Sequence, residues 1–98
     1  MQFFALEHFA GHVGETFTVA LDHDGNAPFA LVEARPLPVQ QYQGMVRSPF
    51  SLLFRHEAAI VFPQKIYQMK HAAIGEFGIF LVPVARDQTG FIYQALFN

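Results

Sequence analysis

Oxygen-bearing side chains suited to a calcium ion alternate in one short segment of the sequence, at Asp22, Asp24 and Asn26. Glu33 follows Asp22 by eleven positions, so these residues occupy the first, third, fifth and twelfth places of a calcium loop. The sixth place, where calcium loops need glycine for a sharp turn, is Ala27. The flanking segments have strand character, which would carry Glu33 away from the aspartates. The spacing therefore predicts a hairpin tip without a metal, and Asp22, Asp24 and Asn26 remain the metal candidates.

Two histidines near the start of the chain, His8 and His12, have the four-residue spacing that places zinc ligands on one helix face. A zinc site needs at least three protein ligands, and no His-Glu-x-x-His pattern supplies another. Gly11 and Gly14 also interrupt the helix that would align the two imidazoles. We therefore expect solvent-exposed histidines on an N-terminal arm, and no cofactor.

An acid–base pair is the remaining catalytic arrangement that the sequence suggests. His56 and His71 end two predicted strands, and Glu57 adjoins the first of them. If those strands pair, the imidazoles and the carboxylate come together. No nucleophile accompanies them, because Ser48 and Ser51 lack the G-x-S-x-G turn that activates a serine. The sequence therefore predicts no catalytic residues and a protein that is not an enzyme.

The composition describes one small domain, residues 1–98, with an unusual balance of side chains. Apolar residues make up 52% of the sequence and charged residues 14%, whereas about 25% is typical for charged residues. With so few charges, part of the apolar surface is expected to remain outside, where it can contact another protein chain. The net charge of −2 and the scattered basic residues argue against a nucleic-acid partner.

The expected location rests on three absences from the sequence. It contains no cysteine, no positively charged signal peptide and no apolar run near the ~20 residues that span a bilayer. These absences predict a cytoplasmic protein without a membrane span.

Turn residues divide the chain into about six short segments with apolar and polar alternation, which is typical of strands. The predicted strands cover residues 15–22, 29–35, 48–55, 66–71, 77–84 and 91–97, and residues 1–12 form a helix or arm. Turns at this spacing are typical of small barrels and sandwiches. The sequence therefore predicts an all-β fold, a small antiparallel β-barrel or sandwich over residues 15–98, with a short N-terminal helix covering one end.

The fifth predicted strand is apolar on both faces, which indicates an interaction surface. Phe80 and Val82 lie opposite its more obviously core-facing residues, and Leu53 has the same relation to its neighbours in the third strand. These three residues are the predicted interaction surface. Pro83 lacks an N–H group, so it belongs at a sheet edge or a bulge.

Other positions carry expectations about packing. Leu31 and Val32 are adjacent apolar residues, so the buried face of the second strand is ambiguous. The apolar residues 60–62 are expected to tuck under the sheet. Arg55 is expected to form an ion pair with the charged residues of segment 33–35 on a neighbouring strand.

Several short segments of the sequence together resemble those of a family of small bacterial all-β domains of unknown function. They are Val13-Gly-Glu-Thr-Phe, Leu31-Val-Glu-Ala-Arg-Pro-Leu, Pro49-Phe-Ser-Leu-Leu-Phe-Arg, Pro63-Gln-Lys-Ile-Tyr, Ile74-Gly-Glu-Phe, Phe80-Leu-Val-Pro-Val and Tyr93-Gln-Ala-Leu-Phe-Asn. The resemblance runs from about Val13 to Asn98 and brings no functional residues with it. It implies an assembly or accessory role beside phage-tail-like collar proteins or other bacterial protein assemblies.

From these observations we expect a non-enzymatic interaction or structural module that associates with itself or with a protein partner. The expected mechanism is burial of apolar area, with strand addition at an exposed sheet edge as a second route. The alternative from a different class is a small-ligand or metal-binding domain that uses residues 22–26 or the His56 and His71 region. The sequence does not identify a small-molecule ligand.

Overall fold

The computed structural model describes residues 4–21, 25–38, 49–58 and 60–97 of the chain. Its elements are α1 (Glu7–Ala10), β1 (Thr16–Leu21), β2 (Gly25–Pro36), β3 (Phe50–His56), β4 (Lys65–His71), β5 (Gly75–Arg86) and β6 (Phe91–Phe97). The strands pair antiparallel and close into a barrel in the order β1–β2–β3–β6–β5–β4. The predicted all-β fold with a short N-terminal helix is confirmed, and the barrel replaces the sandwich.

Side chains alternate between the interior and the outside of this barrel, because successive residues of a strand point to opposite faces. In β5, for example, Phe77, Ile79 and Leu81 are buried while Gly78 and Phe80 are exposed. The interior is filled by Phe17, Val19, Ala27, Phe29, Leu31, Phe50, Leu52, Phe54, Tyr67, Met69, Phe77, Ile79, Leu81, Tyr93 and Ala95. The core is thus rich in phenylalanine, and the alternation that predicted the strands also predicted most of it.

Helix α1 closes one end of the barrel, which we call the helix end. A four-residue helix is too short to be stable in isolation, so its conformation depends on packing. Its Phe9 is fully buried, and the Phe9 ring centroid lies 5.8 Å from those of Phe77 and Phe97. Phe50 lies 6.1 Å away on the same side. No helix in the described ranges is long and apolar enough to span a membrane.

The connection from β3 to β4 closes the opposite end, which we call the loop end. These two strands are not neighbours in the barrel, so the chain crosses that end between them. Phe62 stacks on Phe29, and its N–H donates a 2.9 Å hydrogen bond to the buried hydroxyl of Tyr93. Only the third residue of segment 60–62 packs inward: Ile60 is 63% exposed and Val61 is 50% exposed. The expectation that all three tuck under the sheet was therefore wrong for the first two.

Two bulges adjust which side chains face the core. In β2 the register shifts between Leu31 and Glu33, which leaves Leu31 fully buried and Val32 exposed. This shift resolves the ambiguity of the two adjacent apolar residues. In β5 the register shifts between Pro83 and Ala85, so the proline occupies a bulge, where its missing N–H costs no regular ladder bond.

Closure of the barrel leaves no edge strand among the described residues, because each strand pairs with a neighbour on both sides. An added strand needs unpaired backbone groups along an edge. Strand addition, the second expected route of association, therefore has no edge strand to use here. The expected association through apolar side chains would use the outer surface of the barrel.

Candidate functional site

The outer surface of β4 and β5 carries two large apolar side chains that are cross-strand partners and are more exposed than any other such pair among the described residues. Ile66 and Phe80 are cross-strand partners on this surface, 70% and 51% exposed respectively. Leu96, on the neighbouring β6, is 56% exposed. The name β4–β5 face is used below for the outward residues Ile66, Gln68 and Lys70 of β4 and Glu76, Gly78 and Phe80 of β5. Exposed apolar side chains on adjacent strands form a patch of the kind that marks contacts between proteins.

Of the three residues predicted as the interaction surface, one lies on this face, one lies beside it on β5 and one lies two strands away on β3. Phe80 belongs to the β4–β5 face, and Val82 is half-buried two residues further along β5. Val82 pairs with Gln94 of β6, and Gln94 pairs in turn with the half-buried Leu53 of β3. Val82, Gln94 and Leu53 therefore form one row across the barrel wall. Sequence reasoning missed Ile66, although its place opposite the core-facing residues of β4 was the signal that could have found it.

The β4–β5 face carries two opposite charges near the helix end. Lys70 and Glu76 are cross-strand partners, and both are exposed. Glu76 accepts a 3.5 Å hydrogen bond from Gln68. Among the described residues neither charged group forms an ion pair within 4.0 Å. The face therefore combines an apolar part, at Ile66 and Phe80, with a separate pair of charges available for contact.

A polar cluster at the helix end joins the N-terminal segment to β4. One carboxylate oxygen of Glu15 lies 2.9 Å from Nδ1 of His12 and 2.7 Å from Nε2 of the buried His71. Hydrogen bonds from His12 and His71 hold the pKa of Glu15 below its usual value. Residues 56 positions apart in the sequence are thereby connected.

The donor set of this cluster matches a zinc site in type, since two histidines and one glutamate are a known zinc ligand set. The three ligand atoms lie within 4.8 Å of one another. However, Nδ1 of His71 accepts a 3.0 Å hydrogen bond from the N–H of Ala73, so the neutral imidazole carries its proton on Nε2. That proton is donated to Glu15, and a metal would need the same position free. The arrangement fits a hydrogen-bond network and does not fit a metal centre.

The histidine pairs that the sequence analysis considered do not form. His8 accepts a 2.8 Å hydrogen bond at Nδ1 from the N–H of Ala5, while His12 turns to Glu15. His56 lies at the loop end, where its Nδ1 is 2.7 Å from the carbonyl oxygen of Pro28. Since β3 and β4 are not neighbours, the condition under which His56 and His71 would share a site is not met.

Arg55 forms the main ion pair of the loop end, with Asp87 instead of the expected segment 33–35. Its Nε and a second guanidinium nitrogen contact the two carboxylate oxygens of Asp87 at 2.7 and 3.2 Å. The guanidinium also contacts Glu57 and the hydroxyl of Thr89. These contacts hold the pKa of Asp87 well below its usual range.

The charged groups of segment 33–35 interact with each other. Glu33 accepts a 2.8 Å hydrogen bond from Arg35 of the same strand. Opposite them, Glu33 faces Leu53 and Arg35 faces Ser51 in the β2–β3 register. The predicted cross-strand pair with Arg55 was therefore wrong, because the register places Arg55 beside Ala30.

The predicted calcium-loop spacing is interrupted by a strand. Asn26 pairs with Ala20 in the ladder between β1 and β2, and Glu33 lies seven residues further along β2. A strand advances by about 3.4 Å per residue, so these two residues are about 24 Å apart along β2 and cannot share one ion. Asp22 and Asp24 lie outside the described residues.

The comparison with known families concerns nearly the whole chain and not one site. The model of a family described as a domain of unknown function, DUF6916, matches residues 4–97. The chain belongs to this family. The match includes α1, which the resemblance found in the sequence did not cover. No curated protein and no solved structure matches the chain.

Proposed function

We propose that this member of the DUF6916 family is a non-enzymatic assembly module that associates with other protein chains through the β4–β5 face. The observation that carries the proposal is the exposed cross-strand pair of Ile66 and Phe80. The core of the barrel is complete without them, and both side chains remain exposed on its outer wall. A surface that keeps an isoleucine and a phenylalanine in water is stabilised when another chain covers it.

Covering these side chains contributes to a specific contact without being sufficient for one alone. Full burial of one large apolar side chain contributes about 1.5–3 kcal/mol. Ile66, Phe80 and Leu96 are each exposed by half or more, so covering them contributes about 3 kcal/mol per chain. The cost of lost rigid-body freedom opposes this gain, and additional contacts at the rim are needed for stable association.

Two observations support a non-enzymatic role. His71 and His12 are both held in hydrogen bonds to Glu15, and His56 lies at the other end of the barrel, so the acid–base pair of His56 and His71 does not form. The described interior is filled with apolar side chains, which leaves chemistry to the outer surface. The proposed role is consequently that of a rigid wall presented to partners.

The proposal is tested by substituting the exposed pair. Phe80→Lys and Ile66→Lys each place a charge in the apolar part of the face, and a buried unpaired charge is costly. We expect either change to abolish association, measured by light scattering behind size exclusion and by capture of partners from the native cell. Circular dichroism should remain unchanged, because both side chains are outside the core.

Val32→Lys is the matched control. Val32 is 41% exposed on β2, which lies three strands from β5 in either direction around the barrel. This variant should associate as the unchanged protein does. Association that survives both Phe80→Lys and Ile66→Lys would show that another surface is used.

A further inference from the structure

We propose that the occupant of the β4–β5 face is a second copy of this chain. The two copies are related by a two-fold axis that lies in the interface between them, parallel to the strands and midway between β4 and β5. This inference rests on the proposed function and specifies its partner. A two-fold axis in this position turns one face onto the other without exchanging the ends of the strands. Each residue of β4 then faces the β5 residue that is its own cross-strand partner within one chain.

The register of the hairpin makes the face complementary to itself under this rotation. Ile66 of one copy faces Phe80 of the other, so apolar side chains cover apolar side chains. At the helix end, Lys70 of one copy faces Glu76 of the other. Because the symmetry repeats every contact, one dimer contains two apolar contacts and two ionic contacts. The central Gln68 is uncharged and adds no repulsion.

The charges distinguish this arrangement from the other ways of stacking two faces. Among the described residues Lys70 and Glu76 have no ion-pair partner, so both remain available to a second copy. A two-fold axis across the strands at the level of Gln68 would instead set Ile66 against Lys70. An axis across the strands at the level of Ile66 would leave both charges without an ionic contact. The axis along the strands gives both apolar side chains an apolar partner and both charged side chains a partner of opposite charge.

The available area is adequate for a weak, specific dimer. Seven residues at about 3.4 Å and three strands about 4.8 Å apart, counting β6, give a flat area of about 350 Å². Two such faces supply about 700 Å² before the relief of the side chains is counted, which approaches the ~1,000 Å² of small specific interfaces. The net charge of −2 per copy adds little long-range repulsion. We expect weak association, with a dissociation constant of about 0.1–1 mM.

A second copy is favoured over an extended peptide for a structural reason. Peptides that bind to sheets commonly add a strand at an edge, where backbone hydrogen bonds provide affinity. The described barrel has no edge strand, so a peptide on this face would bind through side chains alone. A rigid partner with matching side chains is required, and the chain itself provides one.

The test exchanges the two charges separately and then together. Lys70→Glu places two carboxylates in each ionic contact, and Glu76→Lys places two ammonium groups there. Like charges in contact are repulsive, so we expect each single variant to dimerise at least about tenfold more weakly than the unchanged protein. An equimolar mixture of the two variants restores opposite charges at both contacts. The mixture should therefore form a mixed dimer within about threefold of the original affinity.

The double variant Lys70→Glu/Glu76→Lys is a control with the original net charge of −2. It should dimerise as the unchanged protein does. Sedimentation velocity with one variant fluorescently labelled measures each affinity, and thermal melts establish that every variant is folded. Rescue on mixing cannot arise from contacts within one chain, since each chain still carries its single substitution.

The outcomes separate this inference from the proposed function. A dimer that Phe80→Lys abolishes but charge reversal leaves unchanged would overturn the two-fold axis along the strands and retain the face as an assembly surface. A protein that is monomeric at all concentrations, yet captures another protein through Phe80, would overturn the second copy alone. Association that does not depend on Phe80 or Ile66 would overturn both proposals.

Discussion

Glu15 connects three parts of the molecule through one carboxylate oxygen. It receives His12 from the turn after α1 and His71 from the end of β4, and it stands itself at the start of β1. The N–H of Ala73 determines the tautomer of His71, because it donates to Nδ1 and leaves the proton on Nε2. The side chain of Glu15 thus helps to hold the helix against the barrel.

The stability given by Glu15 depends on pH in a definite direction. Its pKa in the folded protein is below the ordinary value of 4.5. The ionised carboxylate is therefore favoured by folding, so this stability is complete above about pH 4.5 and is lost as the pH falls through the lowered pKa. We expect Glu15→Gln to lower the melting temperature at neutral pH, and the difference from the unchanged protein to shrink towards pH 3. Thermal melts across this range measure it.

Glu7→Gln is the control for this experiment. Glu7 is an exposed carboxylate in the first turn of α1, so its substitution should change the melting temperature little at any pH. A difference between Glu15→Gln and the unchanged protein that stays constant from neutral to acidic pH would contradict the role of the ionised carboxylate.

At the scale of elements, the turn between β5 and β6 is fastened to the end of β3. Asp87 accepts hydrogen bonds from the N–H groups of Thr89 and Gly90, at 3.0 and 2.8 Å, and binds Arg55 on its other side. Gly90 is buried, and a Cβ atom built there would lie 2.3 Å from the carbonyl oxygen of His56. Close approach of two backbones, not a positive φ, therefore requires glycine at this position.

Gly90→Ala is expected to destabilise the protein by about 1–3 kcal/mol, because the added methyl group forces the turn away from β3. For a domain of this size the melting temperature should fall by roughly 4–8 °C per kcal/mol. Gly11→Ala is the matched control, since nothing lies within 4 Å of a Cβ atom at Gly11. Equal melting temperatures for the two variants would show that the turn moves without cost.

The sequence predicts those features that depend on residues close together in the chain, and it does not predict those that depend on which strands are neighbours. Alternation requires only residues two apart, so the inward faces of β1, β4 and β6 were predictable. The start of β2 was missed because Asn26 and Pro28 are poor strand residues, although both continue the ladder opposite β1. The cluster of Glu15 and His71 was missed because it depends on β1 and β4 being neighbours. Alternation contains no information about strand order.

At the scale of the molecule, the ladder that closes the barrel is its shortest. Among the described residues, β1 and β4 are joined by the pairs Thr18–Lys70 and Val19–Met69. The ladder between β3 and β6 runs from Phe50–Phe97 to His56–Phe91. A short ladder provides fewer hydrogen bonds against local opening, so the barrel should open first between β1 and β4.

Amide hydrogen exchange measures this order. We expect amides in the β1–β4 ladder to be protected about tenfold less than those in the β3–β6 ladder, which corresponds to ~1.4 kcal/mol in opening free energy. Amides of β2 that pair with β3 serve as an internal comparison. Equal protection throughout all ladders would show that the barrel opens only by global unfolding.

The absence of an edge strand in the described barrel also limits how far association can proceed. Sheets with open edges can recruit strand after strand, which leads to fibres. In this barrel every described strand already has a neighbour on both sides within the same chain, so no open edge is left for strand after strand to join. A chain with 52% apolar residues is then most vulnerable to aggregation before the barrel closes, during folding. Under the proposed function, the size of any assembly of folded copies is set by contacts of the outer wall.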